Sequence, residues 1–170
     1  GSAYWEITNA SQQAPKGGSI LNGTSQYYSY PANANLNFGT GDFSFSADIY
    51  LAIFGGNYCI LGGASGNLHI YIVASSIIVS KGDAGGAKTF LNAITQIGRY
   101  RISVVRSNGV TSLYINGMFV ESFSDANDYG NSYIEIGRYG GYAYLFNGFI
   151  YSVNLYNHAL TQQDVTDRWN

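Results

Sequence analysis

The side chains best equipped for chemistry in this chain are its acids, its two histidines, its single cysteine and its sixteen tyrosines. Retaining glycoside hydrolysis needs an acid and a nucleophile, two carboxyl groups about 5 Å apart. The nearest text to that is YIEIG, where Glu135 has no carboxylate two or four residues away on the same strand face. Glu6 and Glu121 are equally isolated. His69 and His158 show neither metal-ligand spacing nor the setting of a catalytic triad. Cys59 stands alone in the apolar stretch YCIL, which excludes a disulfide framework and a cysteine metal cluster and reads as a small buried hydrophobe. On these criteria the chain is not an enzyme.

Two clusters remain. SDANDYGNSY (124–133) gathers Asp125, Asn127 and Asp128, with Asn131 nearby, in what should be a loop. Oxygen side chains alternating with glycine could cage calcium, although the spacing is not that of an EF-hand and the closing glutamate is missing. The competing reading is a turn whose Asn and Asp side chains bond their own backbone. The second cluster is RYGGYAY (138–144), which sets Arg138, Tyr139, Tyr142 and Tyr144 around Gly140 and Gly141. Proteins hold sugars by stacking apolar sugar faces on rings and bonding hydroxyls with polar side chains, and tyrosine does both with few rotatable bonds. Tyr129 in the preceding loop, with Asn57 and Tyr58 of FGGNYC, could complete such a site if their loops lie at the same end. The alternative is that tyrosines simply suit a pleated, half-buried surface. That alternative is preferred for Tyr151 and Tyr156.

Strands must position these residues. The sequence shows no helical periodicity until its last dozen residues, and alternation bounded by Gly, Asn, Asp and Ser turns recurs instead. DFSFSADIYL (42–51) puts Phe43, Phe45, Ala47, Ile49 and Leu51 on a core face and Ser44, Ser46, Asp48 and Tyr50 on a face expected to be at least partly wet. In RYRISVVRSNGVTSLYINGMFVESF (99–123), Asn108-Gly109 and Asn116-Gly117 are two hairpin turns, giving a three-stranded meander. SYIEIG and NGFIYSVNLYN supply two more strands, divided by the 138–146 segment. Thr161 and Asp164 form a capping box that opens a short helix reaching about Arg168.

Composition agrees with an all-β domain: 11% charged residues, with 22 glycines, 16 tyrosines and 9 phenylalanines. No repeat, linker or composition shift marks a second unit, so residues 1–170 read as one domain, with Gly1-Ser2 expected to be a cloning scar. The net charge of −2 and the absence of a basic cluster beyond Arg99, Arg101 and Arg106 argue against nucleic acid as a partner. The longest apolar stretch, LHIYIVASSIIV (68–79), is too short to span a membrane. Asn9-Ala10-Ser11 and Asn22-Gly23-Thr24 are possible sequons.

Four ordered pieces resemble the laminin-G-like, concanavalin A-like jelly rolls: SILNGTSQYYSYP (19–31), GTGDFSFSADIY (39–50), RYRISVVRSNGVTSLYINGMFVES (99–122) and YIEIGRYGGYAYLFNGFIYSVNLYNHALTQQDV (133–165). In the last, Phe146, Gly148, Ile150, Val153, Leu155, Tyr156, Asn157 and Leu160 all fall in step with the family's closing signature. The chain departs from the family at Asn22, Asn116 and Tyr151, where the pattern has aspartate, and at Asp48, where it has tryptophan. The resemblance implies a jelly-roll β-sandwich of two antiparallel sheets with a short C-terminal helix. It further implies non-catalytic recognition, as a carbohydrate-binding or adhesion module displayed outside a cell, on a cell surface or on a bacteriophage virion. A glycan or cell-surface polysaccharide would be the partner, alongside other domains of a parent protein. Where such domains bind calcium they use carboxylates and carbonyls, several of which are replaced here. The alternative function is a protein-protein interaction or structural module of a larger extracellular or virion protein.

Overall fold

The computed structural model of the chain describes residues 19–82, 86–130, 132–140 and 144–167. Its first strands are β1 (Ser19–Asn22), β2 (Tyr28–Tyr30), β3 (Phe43–Leu51), β4 (Asn57–Gly63), β5 (His69–Val73) and β6 (Ser76–Ser80). They are followed by β7 (Lys88–Phe90), β8 (Gly98–Ser107), β9 (Val110–Ile115), β10 (Met118–Ser124), β11 (Ile134–Ile136) and β12 (Asn147–Tyr156). A helix, α1 (Gln162–Asp167), closes the described chain. The strands form two antiparallel sheets of six, ordered β1-β12-β3-β8-β9-β10 and β2-β11-β4-β5-β6-β7. This is the jelly-roll sandwich that the sequence implied.

The core lies between the sheets and follows the period of two. Phe43, Phe45, Ala47, Ile49 and Leu51 of β3 are fully buried, facing Ile60 of β4, Ile70 and Ile72 of β5, and Ile77 and Val79 of β6. Burying a side chain of that size contributes roughly 1.5–3 kcal/mol. Both Asn-Gly pairs turn as expected, with φ of +50° and +73° at Asn108 and Gly109 and +52° and +79° at Asn116 and Gly117. The capping box also forms: the Asp164 carboxylate accepts from the Thr161 amide at 2.9 Å, and the Asp164 amide donates to the Thr161 hydroxyl at 3.1 Å.

The second face of β3 is drier than alternation implied, because Ser44, Ser46 and Asp48 are buried. β3 is a central strand, and its neighbours cover it. Ser44 donates to the His158 carbonyl at 2.9 Å and accepts from the Leu160 amide at 2.8 Å, at the foot of α1. Asp48 takes two bonds from Arg99 of β8, the Nε contact at 2.8 Å. α1 covers this end of the sheet through a small second cluster of Val105, Tyr156, Leu160 and Val165. Among the described residues no helix is long and apolar enough to cross a membrane.

Candidate functional site: a tyrosine face on the outer side of one sheet

Alternation on β5 turns Ile70 and Ile72 into the core and leaves His69, Tyr71 and Val73 on the outer face of their sheet. Cys59 of β4 lies on that same outer face, paired with Tyr71. The described parts of the connection from β11 to β12, residues 137–140 and 144–146, lie along this surface. The Gly137 amide donates to the Ile60 carbonyl at 3.1 Å, and the Cys59 amide donates to the Tyr144 carbonyl at 2.6 Å. Such close approach needs a bare backbone beneath: a Cβ on Gly62 would stand 2.3 Å from the Arg138 carbonyl oxygen.

This placement brings together rings that are distant in sequence. Tyr139 sits edge-on to His69, with centroids 4.7 Å apart, and edge-on to Tyr71 at 5.2 Å. Tyr144 lies 5.6 Å from Tyr139 and near-parallel to Tyr71 at 6.0 Å. Tyr71, Tyr139 and Tyr144 are all half-buried, so each ring is held by protein while part of it meets solvent. Tyr144 holds this position at a φ of +63°, in the left-handed region. For a bulky residue that conformation costs about 1–2 kcal/mol.

Arg138 pairs with β11 rather than with these rings. Its Nε donates to Glu135 of β11 at 2.9 Å and its Nη2 to the second carboxylate oxygen, while its guanidinium carbon stands 3.4 Å from the centre of the Tyr27 ring. The hydrogen bonds that Arg138 donates to Glu135 come first among the causes that raise the Arg138 pKa above its usual range, with desolvation opposing them. Cys59 lies beneath, fully buried, and burial followed by the field of Glu135 pushes its thiol pKa well up. A neutral thiol in that setting is a packing group rather than a nucleophile.

The residues singled out in the sequence therefore separate. Arg138, Tyr139 and Tyr144 share the outer face, and exposed Asn57 lies two residues along β4 from Cys59, about 7 Å away on the same side. Tyr142, with Gly141, lies outside the described residues. Tyr58 alternates inward and packs edge-on against Phe146 at 6.3 Å, and its burial raises the phenol pKa. Tyr129 is fully buried, edge-on to Phe43 at 5.4 Å. Neither Tyr58 nor Tyr129 presents a ring to solvent, so both belong to the core and not to a ligand surface. Tyr71 and Tyr27 were missed by the sequence reading. Alternation in LHIYIV, which places Tyr71 opposite Ile70 and Ile72, was the available signal.

The loop of Asp125, Asn127 and Asp128 is a closed hydrogen-bond network. Buried Asp125 accepts from the Thr111 hydroxyl at 2.7 Å and the Tyr129 hydroxyl at 3.0 Å on one oxygen. Its other oxygen accepts from the Asn127 amide at 3.1 Å and the Asn127 side chain at 2.8 Å. The carbonyls of Asp125 and Asn127, which a hard cation would want, instead each accept from the Arg106 guanidinium at 2.8 Å. Asp128 is exposed, and among the described residues no three of His, Cys, Asp and Glu are grouped to hold a metal. Arg106 supplies the positive charge that calcium would bring, and the turn reading fits this loop better than the cage. Of the sequons, Asn9 lies outside the described residues, and the Asn22 side-chain oxygen accepts from the Thr24 and Ser25 amides at 3.0 Å.

By sequence, the family described as the concanavalin A-like lectin/glucanases superfamily matches residues 22–166. No curated protein matches the chain by sequence. By structure, the chain is similar to a botulinum neurotoxin type C chain whose cell entry depends on interaction with two ganglioside molecules. That match has a TM-score of 0.73 at 13% identity, covering 99% of this chain and 46% of the other. Domain 4 of AbnA, a GH43 extracellular arabinanase from Geobacillus stearothermophilus in complex with arabinotriose, gives 0.70 at 17% identity, covering 99% and 88%. Ruminococcus gnavus IT-sialidase CBM40 bound to α2,3 sialyllactose gives 0.66 at 15% identity, covering 90% and 96%. The chain spans less than half of the neurotoxin chain. At these identities the likeness is one of fold.

Proposed function

The chain belongs to the concanavalin A-like lectin/glucanase superfamily, and from that premise we propose that it is a non-catalytic module that binds glycans through the outer face carrying Tyr139, Tyr144 and Tyr71. The observation that carries this reading is the set of three half-buried rings, one of them kept in a strained backbone conformation. Strain persists only where surrounding structure enforces it, and a loop has no packing need for large aromatics so placed. Rings with polar tips, together with exposed Asn57, offer both stacking and hydrogen bonding to a sugar.

The state of the carboxylates supports the absence of catalysis. Glu135 is held by Arg138, Asp48 by Arg99, and Asp125 by four donors. None is poised as a general acid beside a second free carboxylate. The ligands named for the arabinanase domain and the sialidase module support a glycan as the partner class, and the extracellular arabinanase supports a place outside a cell; display on a cell surface or a virion is part of the proposal. A second reading is an interaction or structural module of a larger extracellular or virion protein. It is favoured by edge strand β10, where Met118, Phe119 and Val120 are exposed.

A glycan array with the chain, repeated with Tyr139→Ala and Tyr144→Ala, tests the proposal. Binding that falls at least about tenfold in both variants, the scale of a lost stacking contact, is expected. Binding untouched by either change removes the face from the site, and an array without any bound glycan moves the function to the second reading.

A further inference from the structure

Resting on that reading, we infer that the tyrosine face takes an uncharged oligosaccharide and discriminates against sialylated or uronic acid-containing glycans. An anionic sugar is held most strongly by a cation able to turn towards it, and the cation that the tyrosine loop supplies is Arg138. Its guanidinium is committed on two sides. The carboxylate of Glu135 occupies Nε and Nη2, and the Tyr27 ring covers a face at 3.4 Å. Glu135 is buried at 1% exposure, so a sugar carboxylate that drew Arg138 away would leave a buried, uncompensated acid behind. That penalty offsets a new ion pair by on the order of a hundredfold in affinity or more.

The pair is also electrically closed. One positive and one negative charge within hydrogen-bonding distance largely cancel, and the chain as a whole carries −2, which does not favour an anion. The exposed Asn57 amide can bond sugar hydroxyls, which suits a neutral ligand. The opposite sheet repeats the arrangement. There Arg99 is bonded twice to buried Asp48 and lies 4.5 Å from the centre of the Tyr151 ring. The arginine beside tyrosine on each face is thus already neutralised by a buried acid.

The experiment is an array of neutral, sialylated and uronic acid-containing glycans at about pH 7.5, where histidine is mostly uncharged. Titrations with arabinotriose, lactose and α2,3-sialyllactose at low and high salt follow. The inference expects the bound glycans to be neutral, with affinity changing less than about twofold between the two salt concentrations. Sialyllactose should bind no tighter than lactose. Sialylated or uronic glycans bound at least about tenfold tighter than their neutral counterparts, with the preference lost in Tyr139→Ala, would overturn the inference and leave the glycan-binding proposal standing. An array empty in every class would overturn both.

Discussion

Tyr144 joins a local cost to a proposed contact. Its φ of +63° suits glycine, yet its ring lies against Tyr139 and Tyr71. Tyr144→Gly relieves the strain, so the expected outcome is a folded protein whose melting temperature is unchanged or higher, with glycan binding lost. Thermal unfolding beside a binding titration checks both halves, and a melt lowered by more than a few degrees would show that the ring is needed for the fold. Cys59 gives a pH dependence. Burial holds its thiol pKa above the ordinary 9.0, so the folded state keeps a proton that the unfolded chain loses. Stability from this group is full below about pH 9 and falls as pH rises from there, by up to about 1.4 kcal/mol per pH unit. Denaturant unfolding at pH 8 to 10, compared with Cys59→Ala, should show a shallower decline in the variant over about that range.

At the scale of elements, the 124–130 loop shows how a strand places an internal cation. Arg106 sits at the inward end of β8, and the loop wraps its guanidinium with backbone oxygens while Asp125 collects the neighbouring donors. Asp125→Ala strands the Thr111 and Tyr129 hydroxyls in the core and is expected to cost about 2–4 kcal/mol in urea unfolding. Because Arg106 already fills the place of a cation, adding calcium or a chelator should leave the melting temperature of the wild-type chain unchanged. A calcium-dependent rise of several degrees would reinstate the cage reading. The turns of the β8–β10 meander and the capping box of α1 were legible because their determinants lie within four residues. The placement of Arg138 and Tyr144 was not, since it depends on Gly62 and on a backbone bond to β4.

Across the whole molecule, the two sheets meet along the β7 and β10 edges. There Phe90 and Phe123 pack at 6.0 Å, and Lys88 pairs with Glu121 above them. The ion pair is solvent-exposed, with Glu121 half accessible, whereas Phe90 is fully buried. Apolar contact should therefore dominate the closure. Phe123→Ala is expected to cost about 1–3 kcal/mol and Glu121→Gln less than about 0.5 kcal/mol, both measured by chemical denaturation.

The sequence by itself determined the all-β class, the jelly-roll order, the core face of β3 and the places where the chain turns. The class, the core face and the turns rest on φ preferences or a period of two expressed within a few consecutive residues, whereas the jelly-roll order was implied by the family resemblance. Only the tertiary structure decided which polar and aromatic side chains meet solvent. Tyr58 and Tyr129 belong to the core, Ser44 is sealed by Leu160 more than a hundred residues away, and Tyr71 joins Tyr139 across two elements. A strand's second face carries no local mark of what will cover it. Its exposure is fixed by chain that arrives from elsewhere, and that closure sets both the tyrosine face and the paired arginines beside it.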